Sequence, residues 1–239
     1  MKTKTGFSLN ELLGVIAIIA ILAAILFPVF AKAIEGEKAK QAKCISNLKK
    51  LEQAFTQYKE DYNGYLPLAW VWSSQKYPDG SASLGWIEWH HSIWPYVNRL
   101  NVYECPSSIG SKYIGNASGW TGAYSYGINT AMFTYPAGAT NDPLLGKQWS
   151  IAVKFPANTV ILCDNKRYSY STGEGDWQET PPCWDSPYIP QETHTGGINV
   201  AFADGHAKWY TMKNILWNWH TQGSARDQEL IKMWRPDYQ

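Results

Sequence analysis

Residues Leu12 to Ala31 form an unbroken run of twenty residues without a charge. At 1.5 Å per residue, a helix of that length covers roughly 30 Å, the thickness of a bilayer's hydrocarbon core. A helix satisfies its own backbone hydrogen bonds, so it can sit in lipid. Lys2 and Lys4 precede the run. They predict a single-pass cytoplasmic-membrane chain with its N-terminus inside and the remainder outside. A cleaved secretory signal, cut near Ala31-Lys32-Ala33, is the competing reading. Such a signal has a shorter apolar region, and Ser8, Asn10 and Glu11 are polar where it would be basic or apolar.

Glu11 stands at the mouth of the run. A carboxylate deep in a membrane helix costs about 2.5–3.5 kcal/mol and usually marks a functional partner. At the headgroup boundary it costs little. In a packed bundle of such helices it needs a cation. A cut after Gly6 would supply one, the new amine of Phe7 on the same chain or a neighbour.

Gly6-Phe7-Ser8-x-x-Glu11, followed by this Ile/Ala/Leu-rich run, resembles the prepilin cleavage and methylation segment of type IV pilins and type II secretion pseudopilins. In that family a membrane peptidase cuts after the glycine and methylates the new amine. The resemblance implies Gly6 and Phe7 as processing residues and Glu11 and Pro28 as assembly residues. Asn10 and Gly14 depart from the usual apolar pattern. Pro28 also has a local meaning. It lacks an N–H and its ring crowds the carbonyl four residues back, which predicts a weakened turn at Ala24–Pro28.

The chain of 239 residues leaves room for one long helix and one globular domain with a real core. A net charge of +1 gives no electrostatic case for nucleic acid. Thirteen tryptophans and fifteen tyrosines are read chiefly as core and turn packing. Exposed rings for carbohydrate or adhesion are the alternative. The four cysteines all follow the apolar run and would face an oxidising space. They allow three connectivities. Spacing leans towards Cys163–Cys183, which closes a polar loop; the remainder is Cys44–Cys105, tying the helix to the domain. No CxxC spacing suggests zinc.

Beyond the membrane the helical pattern continues. Ile45, Leu48, Leu51, Phe55, Tyr58 and Tyr62 recur at steps of three and four, forming one amphipathic face. Gly36 is the expected weak point. Asn63-Gly64 offers a left-handed cap, and Pro67 forbids continuation. The predicted organisation is a leader at 1–6, a helix at 7–63 with its membrane half at 12–31, and a globular domain at 64–239.

In that domain, Trp149–Phe155 and Thr159–Cys163 are read as strands and Asp164–Thr193 as a long loop. Asp204-Gly205 predicts a two-residue type I′ hairpin within Gly197–Thr211. This register sets Val200 opposite Trp209 and Phe202 opposite Ala207. Ile198 joins them on a core face, with Asn199, His206, Lys208 and Tyr210 on the other. Met212–Trp219 and Arg226–Trp234 are expected as short helices.

His194, ten residues before Asp204, gives His-x9-Asp-Gly. It resembles the C-terminal signature of a large pilin-like family that carries the same prepilin segment. Cys44-Ile-Ser-Asn-Leu-Lys, Cys105-Pro-Ser, Tyr124-Ser-Tyr-Gly-Ile-Asn and Pro156-x-x-Thr159 are similar to that family too, and extend the resemblance over most of the chain. It implies an α+β, pilin-like fold, a long N-terminal helix packed on a small antiparallel sheet with long loops. The matched Cys44 and Cys105 motifs favour the Cys44–Cys105 disulfide.

Asp164 and Asp204, with nearby carbonyls, are candidate Ca²⁺ ligands, and His194 and His206 could converge with them. Calcium is the one cofactor considered; otherwise none is expected. The plainer reading makes Asp204 a turn residue and has His194 bond a loop carbonyl. His90-His91 is read as loop. No Gly-x-Ser-x-Gly or comparable motif supports catalysis. The expected function is therefore a subunit of a type IV pilus-like extracellular filament. Its expected partners are further copies of itself, the prepilin peptidase/methylase, the assembly machinery and the inner membrane. A minor pilin or secretion pseudopilin is the near alternative, and a non-polymerising membrane-anchored carbohydrate-binding or adhesive protein the distant one.

Overall fold

The computed structural model describes residues 8–68, 70–73, 85–108, 125–129, 153–164, 178–179, 192–215, 229 and 232–234. The protein is α+β. Helix α1 spans Leu9–Asp61, and the chain divides into two compact units, Met1–Ala39 and Lys40–Gln239. The division falls inside α1, so the second half of the helix belongs to the C-terminal unit.

In the first unit every residue from Ser8 to Phe30 is exposed. This stretch is long and apolar enough to cross a membrane. The α-helix runs without a break through Ala24–Pro28 and through Gly36. Neither expected weak point interrupts it in the isolated chain.

In the second unit α1 presents the predicted stripe. Leu48, Leu51, Phe55 and Tyr58 are buried, Tyr62 packs beside them, and Ile45 is half-buried. The stripe also buries Cys44, Asn47 and Glu52, which an apolar pattern cannot reveal. The helix ends as expected. Asn63 and Gly64 take positive φ, of 51° and 84°, and Gly64 N–H donates to the Lys59 carbonyl at 2.7 Å.

Strands β1 (Trp70–Ser73) and β2 (Gly85–Glu88) pair antiparallel. The short helices α2 (Trp89–Ser92) and α3 (Trp94–Val97) follow, so His90-His91 is helical and buried rather than loop. The principal sheet has four antiparallel strands in the order β3 (Tyr126–Asn129), β4 (Val160–Asp164), β6 (Gly197–Phe202) and β7 (Ala207–Thr211). A two-residue strand, β5 (Gln178–Glu179), joins the β3 edge in parallel. Of the segment Trp149–Phe155, residues 153–155 are described and are not strand; the others lie outside the described residues. Of the expected last two helices, Met212–Ile215 and residues 232–234 are seen as helix.

The hairpin departs from its predicted register by one residue. Asn199 faces Trp209, Val200 faces Lys208 and Ala201 faces Ala207. Gly205 N–H donates to the Phe202 carbonyl at 3.0 Å, and Phe202 N–H donates to that of His206 at 2.9 Å. The connection is therefore a three-residue loop, in which only Gly205 takes positive φ (+90°). Asp204 keeps an ordinary φ because its side chain accepts the His206 N–H at 3.1 Å. The shift moves Tyr210, Lys208 and His206 onto the face of Ile198, Val200 and Phe202. There the His206 and Phe202 rings stack at 4.2 Å between centroids.

Both faces of the sheet are covered. One carries Ile128, Ile161, Leu162 and Ala201 against the α1 stripe; the other carries Val160, Cys163, Val200 and Phe202 with Ile215 and Trp234. This is why β4 and β6 are buried at every position.

Candidate functional site

Among the described residues of the C-terminal unit, the sharpest concentration of chemistry starts from helix α1. Cys44, on the buried stripe, is disulfide-bonded to Cys105, with 5.3 Å between Cα atoms. One turn further along, Asn47 fixes the segment that carries Cys105. Its Nδ2 lies 2.9 Å from the Glu104 carbonyl, 3.4 Å from that of Asn101 and 3.2 Å from the Tyr126 hydroxyl. The Cys-x-x-Asn spacing thus puts a covalent link and an amide clamp on one helix face.

Against the sulfurs lie a carboxylate and an imidazole. Asp164 ends β4, facing Tyr126 of β3. His194 precedes β6, held by reciprocal backbone bonds with Gly197 at 2.8 and 3.0 Å, while Gly196 supplies the positive φ of the turn. Gly197 must lack a side chain, because a Cβ there would lie 2.1 Å from the Tyr210 carbonyl oxygen. The His194 Nε2 atom is 3.2 Å from Asp164 Oδ2 and 3.4 Å from Cys105 Sγ. Asn199 N–H donates to Asp164 Oδ2 at 2.7 Å. One donor atom from each of Cys44, Cys105, Asp164 and His194 lies within 4.8 Å of all the others, and all four residues are buried.

Burial raises the Asp164 carboxyl above its ordinary value, while His194 and Asn199 pull it down. Burial, reinforced by the charge of Asp164, pushes the Tyr126 phenol well above its usual range. Asp164 Oδ1, His194 Nδ1 and both polar side-chain atoms of Asn199 have no hydrogen-bond partner among the described residues.

Asp204 lies elsewhere. Antiparallel pairing sets Cys163 opposite Val200 and Val160 opposite Phe202. Asp164 therefore sits beside Asn199, whereas Asp204 lies past the other end of β4, where Ala203 N–H donates to the Thr159 carbonyl at 2.9 Å. The expected Asp164 and Asp204 pair of calcium ligands does not come together. Asp204 bonds His206 instead, and the four-residue convergence resolves into two separate pairs, Asp164–His194 and Asp204–His206. Gly205 packs on helix α1, where a Cβ would lie 3.0 Å from Glu52 Oε2.

Other quoted motifs have structural roles. Asn129 Nδ2 donates to the carbonyls of Val160 at 2.9 Å and Trp234 at 2.7 Å, binding β3 to β4 and to the C-terminal segment. Thr159 Oγ1 donates to the Phe155 carbonyl at 3.0 Å and closes the turn before β4. Cys163 is buried on β4; its proposed partner Cys183, and hence that pairing, lies outside the described residues.

At the N-terminus, Gly6 and Phe7 lie outside the described residues. Ser8 and Glu11 form a capping box. Glu11 N–H meets Ser8 Oγ at 3.3 Å, and the Ser8 N–H and hydroxyl donate to Glu11 Oε2 at 2.9 and 2.8 Å. Glu11 thus has a local role that an argument from membrane cost alone misses. Pro28 sits within the exposed apolar helix.

No protein-family model, curated protein or solved structure matches the chain.

Proposed function

We propose that this chain is the structural subunit of a type IV pilus-like filament, cleaved after Gly6 and assembled through its N-terminal helix. The carrying observation is the exposed apolar helix. Leu12, Ile16, Ile19, Leu22, Leu26 and Phe30 are each at least half exposed, on a helix whose other half is built into a folded domain. So much apolar surface needs cover. Lipid supplies it before assembly and neighbouring copies supply it afterwards. The Gly6-Phe7 junction immediately before the capping box favours that sequence of events over a permanent anchor.

Trp89, Trp234, Tyr58, Tyr103 and Tyr126 are buried in the cores, which accounts for part of the aromatic content without a carbohydrate ligand. In this reading the peptidase/methylase and the assembly machinery act on the first residues, and the sheet domain decorates the fibre surface.

Mass spectrometry of the mature protein tests the processing: a chain beginning at a methylated Phe7 is expected, and an uncut or otherwise cut chain refutes it. Electron microscopy of surface material tests the assembly. Abundant fibres built of this chain are expected; a trace component of a shorter fibre would make it a minor pilin or pseudopilin.

A further inference from the structure

The buried cluster holds more chemistry than a disulfide needs. A disulfide is neutral and asks for no polar neighbours. Here a carboxylate and an imidazole converge on it in the core, at a desolvation cost. We propose that, when the Cys44–Cys105 bond is reduced, Cys44, Cys105, Asp164 and His194 bind one divalent cation of the zinc class.

The donor spacing fits. A tetrahedral zinc ion with bonds of about 2.0–2.3 Å sets its ligand atoms roughly 3.3–3.8 Å apart. His194 Nε2 already lies 3.2 Å from Asp164 Oδ2 and 3.4 Å from Cys105 Sγ. The remaining donor pairs lie no more than 4.8 Å apart, so small side-chain shifts complete the set once cutting the S–S bond lets the two sulfurs separate. Two thiolates, one imidazole and one carboxylate select zinc over calcium, which takes hard oxygen donors. Asn47, which holds the Cys105 segment, and Asn199, which holds Asp164, orient the donors from outside.

The two states exclude each other. A dithiol reductant gives up two electrons and two protons and becomes a disulfide. The Cys44–Cys105 S–S bond breaks, and each sulfur takes one proton. The ion then displaces both protons to solvent and binds the thiolates, neutral His194 through Nε2, and the Asp164 carboxylate. A reducing compartment favours the metal form and an oxidising one the disulfide. This site is independent of the filament reading.

The test uses the full chain in detergent, reduced with a phosphine and titrated with Co²⁺ under nitrogen. One ion per chain is expected, with thiolate-to-cobalt charge transfer and the strong visible bands of tetrahedral cobalt. Zinc should bleach them, and the oxidised chain should show none. Asp164→Asn and His194→Gln should each weaken binding by more than about 100-fold. Cys44→Ser should remove much of the charge transfer, and Cys183→Ser should leave it intact. Bands that survive both Asp164→Asn and His194→Gln, bands lost in Cys183→Ser, or no tetrahedral cobalt at all would overturn the proposal. If the reduced chain unfolds without metal, refolding that saturates at one zinc per chain supports it, and zinc-indifferent refolding refutes it.

Discussion

Gly205 takes a φ of +90° directly against Glu52, whose Oε2 would lie 3.0 Å from a Cβ placed there. Two demands for glycine meet at one residue. The turn needs a left-handed conformation, and the helix leaves little room for a side chain. Gly205→Ala should destabilise the protein by about 1–2 kcal/mol from the backbone term alone. Glu52→Ala in the same chain should relieve the contact but not the backbone strain. Guanidinium unfolding of the two single variants and the double variant separates these contributions.

Glu52 also makes stability depend on pH. Burial holds its carboxyl above the ordinary value, outweighing the hydrogen bond from Thr56 and the attraction of Lys59. The folded state then keeps a proton that the unfolded chain has already released. Stability should fall as pH rises from the ordinary glutamate range to the raised value, and level off above it. Glu52→Gln should flatten that fall. Melting temperature against pH, for both proteins, reads it directly.

The disulfide spans a sequence separation of 61 residues. Constraint of the unfolded chain by a loop of that size is worth about 4 kcal/mol. Cys44→Ala/Cys105→Ala should lose about that much in guanidinium unfolding under metal-free conditions. The α-helical circular dichroism in native buffer should change little.

Asn47→Ala removes the clamp on the Glu104 carbonyl while leaving the disulfide intact. Loss of a buried amide whose partners stay desolvated costs about 1–3 kcal/mol. Hydrogen exchange should then rise at the backbone amides of residues 101–105, more than at those of β6.

Ser8 and Glu11 can be told apart by function. Ser8→Ala removes half of the capping box and should cost the first helical turn about 0.5–2 kcal/mol. If Glu11 also sets register by pairing with the Phe7 amine of a neighbour, Glu11→Ala should abolish fibres while Ser8→Ala only thins them. Membrane fractionation should show both variants inserted. Equal fibre yields would reduce Glu11 to a cap.

Helix α1 and its stripe were legible because apolar spacing and the Asn63-Gly64 cap are local signals. The packing face was broader than that pattern, since Asn47 and Glu52 are buried for their hydrogen bonds or contacts rather than for hydrophobicity. The hairpin was found, but its register slipped. Asp204-Gly205 suits a two-residue turn equally well, and nothing in the local pattern foretells the His206 N–H that holds Asp204 at an ordinary φ. That one-residue error reversed the faces of Lys208 and Tyr210. Asp164 and His194 were expected to converge together with Asp204 and His206; that the first two meet at Cys105 without the others depends on strand order, which no spacing encodes. The alternation rule also misjudged β6, because the α1 stripe covers the face of Asn199 and Ala201, which was expected to be polar, while Ile215 and Trp234 cover the expected core face.

The position of Cys44 has a mechanical consequence. Tension drawn along α1 from its N-terminal end reaches residue 44 before it reaches Leu48, Leu51 or Phe55. The S–S bond carries it sideways into the strand-bearing part of the domain, so those apolar contacts bear less of the pull. A domain tethered in this way can be tugged hard through α1 without the helix peeling off the sheet.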